Sequence, residues 1–172
     1  MILRVAAAIA ALLVAVASAG APLQLRSSDF SPGGKIGRAQ MAADCGGENR
    51  PPNLAWTGAP AGTRSWALVL HDPDAPVPGG FYHWVVYGIP PQTTRLGTVP
   101  PRASVGLAST GRAAYYGPCP PAGPAHHYRF TLYALDRASL GDGSPLTGPQ
   151  VEAKVRGHVL ARATLEATAA RP

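Results

Sequence analysis

The chain has 172 residues, 46% apolar and only 14% charged, with 20 glycines and 19 prolines. That length suits one domain with a core of its own, and the composition excludes a disordered chain. The formal net charge of +6 comes from scattered arginines, with no basic run and no basic-aromatic interleaving, so no nucleic-acid partner is expected.

In chain order, Arg4 precedes an unbroken Ala, Val, Ile and Leu run from Val5 to Val16. Ala17-Ser18-Ala19 then puts small residues at the positions a cut before Gly20 requires. A basic start, a short apolar run and an A-x-A end describe a secretory signal peptide. Residues 1–19 are therefore expected to be removed, leaving residues 20–172 as one exported domain, periplasmic or secreted. The run is shorter than the roughly 20 residues a membrane span needs, so no stable membrane insertion is expected. Without Arg4 the chain keeps 14 basic and 9 acidic residues, a net +5, which favours anionic ligands or surfaces.

Leu23-Gln24-Leu25-Arg26 alternates as a first strand would, and residues 29–52 are Gly-, Pro- and Asn-rich loop. Leu54-Ala55-Trp56 is a short strand. Ser65 to His71 is continuously apolar until its end, which predicts a strand covered on both faces. The proline-rich Asp72–Gly80 stretch must leave the sheet. Phe81 to Tyr87 is aromatic and β-branched, another strand. Residues 100–124 show little periodicity, the mark of a functional or disordered loop. His127 to Leu135 alternates, with Tyr128, Phe130 and Leu132 on one face. Thr147-Gly148-Pro149-Gln150 has the form of a capping box, and Val151, Val155 and Val159, widened by Leu160 and Leu165, predict a C-terminal helix packed on the sheet.

Polar groups gather at the strand ends: His71, Asp72 and Asp74, then His83, then His126, His127 and Tyr128. Between them runs the Tyr116–Gly123 segment. If these strands are neighbours, the groups meet in one cleft at the sheet edge. Gly117 and its neighbours could expose N–H groups to an anion, histidines and Tyr128 could donate to it, and Pro76, Pro120 and Pro121 would stiffen the rim. Asp72 would repel an anion, so it is expected to orient His83 or another donor, or to receive an amine on the ligand. Each residue alone has a plainer reading: aspartates bonding loop amides, a satisfied core histidine, sheet aromatics. No zinc-ligand spacing, G-x-S-x-G elbow or phosphate-binding P-loop is present, and no metal or cofactor is expected. Cys45 and Cys119 suit one disulfide in an oxidising compartment.

Asp72-Pro73-Asp74-Ala75-Pro76 with His83-Trp84-Val85-Val86, and Tyr116-Gly117-Pro118-Cys119-Pro120-Pro121-Ala122-Gly123 with His126-His127-Tyr128-Arg129-Phe130, resemble the two signatures of the phosphatidylethanolamine-binding proteins (PEBP). Gly47-Glu48-Asn49-Arg50-Pro51-Pro52-Asn53-Leu54-Ala55-Trp56 resembles a segment of their bacterial, Raf kinase inhibitor-like branch. The resemblance implies a mainly β, sandwich-like fold: a large antiparallel sheet, a smaller sheet and a C-terminal helix. It also implies a pocket for a small anion or phospholipid headgroup such as phosphorylethanolamine. Asp72, His83, Gly117, His126 and Tyr128 match its pocket positions, and Pro76, Trp84 and Pro121 its apolar wall. No general enzymatic activity goes with the family. An inhibitor acting on a partner such as a protease, a hydrolase using His83, His126 and Asp72, and a homodimer are the readings left open. Three departures stand out. Tyr82 stands where many eukaryotic members have a second histidine, Pro118 and Cys119 fill loop positions that eukaryotic members give to Ser or Gly, and Arg50 takes a position that is often Ser- or Thr-like.

Overall fold

A computed structural model describes residues 21–141 and 143–171; the signal-peptide reading on residues 1–19 lies outside them. Two antiparallel sheets are present. The small one has the order β1 (Gln24–Ser27), β2 (Leu54–Thr57), β5 (Arg95–Leu96). The large one has the order β6 (Ser104–Val105), β4 (Phe81–Ile89), β3 (Ser65–Asp72), β7 (His126–Leu135), β8 (Val159–Ala169). Helix α1 (Gly148–Val155) packs on the outer face of the large sheet.

The main core lies between the sheets. Leu25 and Trp56 of the small sheet meet Trp66, Leu68, Leu70, Phe130, Leu132 and Leu165 of the large one. Burying such side chains contributes roughly 1.5–3 kcal/mol each. A second core joins Ala67, Val69, Val85 and Tyr87 to Val151 and Val155 of α1. Strand β3 therefore feeds both cores, even positions inward and odd positions toward the helix, which explains its unbroken apolar sequence.

The capping box forms: Thr147 Oγ1 accepts from the Gln150 amide, and Gln150 Oε1 accepts from the Thr147 amide. The helix is shorter than expected, however. It ends at Val155, Gly157 turns the chain at φ 79°, and Val159–Ala169 is a strand. A spacing of four fits a strand as well as a helix, being twice two, so the valines alone could not distinguish them. The positions beyond them do. Leu165, Ala167 and Ala169 are buried while Thr164, Glu166 and Thr168 are not, and the segment pairs with β7 from His126↔Ala169 to Leu135↔Val159.

Cys45, in a 3-10 turn (Ala43–Cys45), and Cys119 are bonded, with Cα atoms 5.6 Å apart across 74 residues of sequence. Closing so long a loop restricts the unfolded chain most. Replacing both cysteines by serine should lower unfolding free energy by about 4 kcal/mol. Urea denaturation of the oxidised protein beside the double variant checks this, and reductant should reproduce the loss in the parent alone.

Candidate functional site

Strand β3 stops at Asp72 because its carboxylate captures the next amides. Asp72 Oδ1 accepts from the backbone N–H of Asp74 at 2.9 Å and of Ala75 at 3.1 Å. This turn is one that aspartate favours. The second oxygen, Oδ2, accepts from His126 Nδ1 at 2.8 Å. Asp72 is only 2% exposed, and three donors offset the desolvation of its carboxylate. Asp72 thus orients His126 of β7, not His83. His71, on the opposite face, stacks on Tyr82 and bonds the Gly79 carbonyl.

His83 reaches the site through an irregularity in β4. Tyr82 pairs with His71 and Trp84 with Leu70, so His83 is the extra residue of a β-bulge. A bulge re-aims side chains and frees backbone groups from the ladder. Here His83 O accepts from the Tyr116 amide at 2.9 Å, and His83 Nδ1 donates to the Tyr116 carbonyl at 2.8 Å. A carbonyl only accepts, so Nδ1 carries the ring proton in the neutral form.

The loop carrying Tyr116 is held from below. Gly117 donates its N–H to Asn49 Oδ1 at 2.8 Å, Asn49 Nδ2 donates to the Tyr115 carbonyl, and the Ala42 amide donates to the Pro118 carbonyl. A Cβ on Gly117 would lie 2.2 Å from the Gln40 carbonyl oxygen, so only glycine permits this approach. The Cys45–Cys119 bond fastens the same loop.

These elements enclose a cavity of about 280 Å³ lined by Asp72, Pro76, Phe81, His83, Tyr116, Pro121, His126 and Tyr128 among others. Its size lies just below the roughly 300–1,000 Å³ of most ligand pockets. Two residues expected here are elsewhere. Trp84 is buried in the main core, because the bulge sends His83 to the cavity and leaves Trp84 opposite Leu70. Gly117 does not line the cavity, and its N–H is already spent on Asn49. Arg50 pairs with Glu48 in solvent. Tyr82, in place of a histidine, donates to Glu152 of α1 on the far side of the sheet. Phe81, Ala75, Val77 and Thr110 also line the cavity; Phe81 was readable two positions before His83, but nothing local marked Thr110. Asn49 was visible in its segment, though not its bond to a loop 68 residues away.

Among the described residues, the Tyr128 hydroxyl is buried without a well-formed hydrogen bond, with the Asp72 carboxylate close by. Burial first, then the nearby Asp72 carboxylate, raise its pKa far above the ordinary phenol range, so it remains a donor. His83 is pushed down to about 4, chiefly by burial, against the opposing pull of Tyr116 and Asp72. The cluster of Asp44, Cys45 and Cys119 offers no thiolate to a metal, since both sulfurs are bonded.

The family model described as phosphatidylethanolamine-binding protein matches residues 26–170. A UPF0098 protein of Aquifex aeolicus is 39% identical over 151 residues, 84% of this chain and 86% of its own. The crystal structure of Escherichia coli YbcL, described as a member of the mammalian PEBP family, matches with a TM-score of 0.82 at 32% identity, over 87% of this chain and 99% of YbcL. LppC of Mycobacterium tuberculosis, named as a candidate lipoprotein, is 45% identical over 122 residues, 69% of this chain and 58% of LppC.

A histidine held neutral when folded, yet titrating near 6.5 when unfolded, makes stability fall as pH falls. The contribution of His83 should be complete above pH 6.5 and be lost as pH drops to about 4, roughly 3 kcal/mol in all. Urea unfolding between pH 4 and 7 checks this: His83→Gln should flatten that part of the profile relative to the parent.

Proposed function

The chain belongs to the phosphatidylethanolamine-binding protein family, and on that premise we propose that it is an exported, non-enzymatic binding protein whose cavity receives a small phosphate-bearing group such as a phosphorylethanolamine headgroup. The observation that carries this reading is the Tyr128 hydroxyl, a buried donor without a well-formed protein acceptor among the described residues beside two imidazoles on the wall of a headgroup-sized cavity. A buried polar group left unpaired is costly, and an oxyanion would satisfy it. Pro76, Pro120, Pro121 and Phe81 supply stiff apolar contact for the ligand's carbon. Among the described residues no serine, lysine or free cysteine lines the cavity, and Thr110 is its one aliphatic hydroxyl.

Export is supported by the leader-like pattern of residues 1–19, by the Cys45–Cys119 disulfide, and by the name of the relative LppC. The intact mass of the protein recovered from outside the cytoplasm should correspond to a chain starting at Gly20; a full-length mass there would overturn this cleavage site.

Calorimetric titration tests the ligand. Phosphorylethanolamine should bind saturably, and Tyr128→Phe should weaken it by about ten- to a hundredfold, the value of a hydrogen bond to a charged group. That variant deletes a hydroxyl with no well-formed hydrogen bond among the described residues, the Asp72 carboxylate being its near neighbour, so it should still fold, which circular dichroism checks. No heat in a folded sample, or equal affinity in the variant, would sink the reading.

A further inference from the structure

We infer that the cavity selects an oxyanion carrying its own acidic proton, a hydrogen phosphate or singly protonated phosphate monoester, over an oxyanion that carries none. This rests on the phosphate-site reading and narrows it to a free phosphate or phosphate monoester, since the phosphodiester of an intact phospholipid carries no acidic proton.

The inference follows from where the donors already are. His83 Nδ1 donates to the Tyr116 carbonyl and His126 Nδ1 to the Asp72 carboxylate. In each neutral ring this leaves Nε2 as a bare lone pair. Both rings line the cavity. Among the described residues, no lysine or arginine lines it. Of the loop that faces the ligand, Pro118, Pro120 and Pro121 have no N–H, and that of Gly117 belongs to Asn49. The amides of Asp74 and Ala75 belong to Asp72. Among the described residues, what remains to donate is the hydroxyls of Tyr128 and Thr110 and the Cys119 amide.

The cavity therefore sets two imidazole acceptors beside a few neutral donors, with no lysine or arginine among the described lining residues. A fully deprotonated tetrahedral anion would set an oxygen lone pair against an imidazole lone pair. An anion with one remaining hydroxyl turns that clash into a hydrogen bond from the ligand to Nε2. The alternative is to charge a ring, and the surroundings of His83 resist this. Asp72 faces it from β3, but that carboxylate is committed to His126 and two amides, while His71 on β3, Tyr116 on the loop, and Tyr128 and His126 on β7 bring no negative charge at neutral pH. Its own titration down near pH 4 agrees with the geometry.

Three isosteric probes separate the possibilities: inorganic phosphate, methyl phosphate and sulfate, titrated calorimetrically at pH 6 and pH 8 in buffers of different ionisation heat. Inorganic phosphate retains a hydrogen at pH 8 and should bind with essentially no proton taken up. A phosphate monoester loses its second proton near pH 6. Methyl phosphate should therefore take up about one proton from solvent on binding at pH 8, and its affinity should fall about fiftyfold from pH 6 to pH 8 by that ionisation. Sulfate carries no proton at either pH and should bind at least about tenfold more weakly than inorganic phosphate, the effect of one unpaired acceptor. Sulfate binding as tightly as phosphate would overturn the inference, as would methyl phosphate binding without proton uptake. Silence from all three in a folded sample would instead remove the phosphate-site reading beneath it.

Discussion

The architecture of the site depends on one buried carboxylate. Asp72 ends the central strand, starts the loop that forms one rim and holds His126 on the neighbouring strand, with each oxygen assigned to its own set of donors. A carboxylate can be buried so completely only when such donors surround it. The requirement links three segments far apart in sequence, and the cavity is the space left between them. It also orients that space: by holding His126 Nδ1, Asp72 leaves only the ring's Nε2 to face the cavity.

The second constraint is the bulge at His83. In a regular strand, His83 and Trp84 would point to opposite faces of the sheet. The extra residue lets both serve the inner side, Trp84 packing beneath Tyr115 and His83 standing at the cavity. The backbone carbonyl released by the bulge is the docking point for the Tyr116 amide. The proline-rich loop has few hydrogen bonds of its own to offer, so it is fixed from outside: by Asn49, by the Ala42 amide, by close approach at Gly117 and by the disulfide. A wall fixed in this way loses little freedom when a ligand arrives.

Much of this was legible in the residues. The apolar run of β3, the alternation of β7 and the capping box of α1 are local signals, and each corresponds to an observed element. Asp72, His83, His126 and Tyr128 cluster because each stands at or near the end of a strand, and all four fall within the two signature segments of the family. The strand β8 was misread as helix. Its valine spacing satisfies both periods, and the choice came from ten paired positions along β7, a long-range gain that local propensity does not contain.

The sequence alone determined which segments are strands buried on both faces, which residue types stand at their ends, and the family to which they belong, because these depend on short-range periodicity and on ordered motifs. The tertiary structure decided which group each proton faces. Whether Asp72 serves His83 or His126, whether the Gly117 amide is free for a ligand, and whether Trp84 lines the cavity or the core all turn on contacts between segments tens of residues apart. Such contacts follow from a register shift of one residue and from the competition of donors for a few buried acceptors, and neither leaves a trace in the local pattern of the chain.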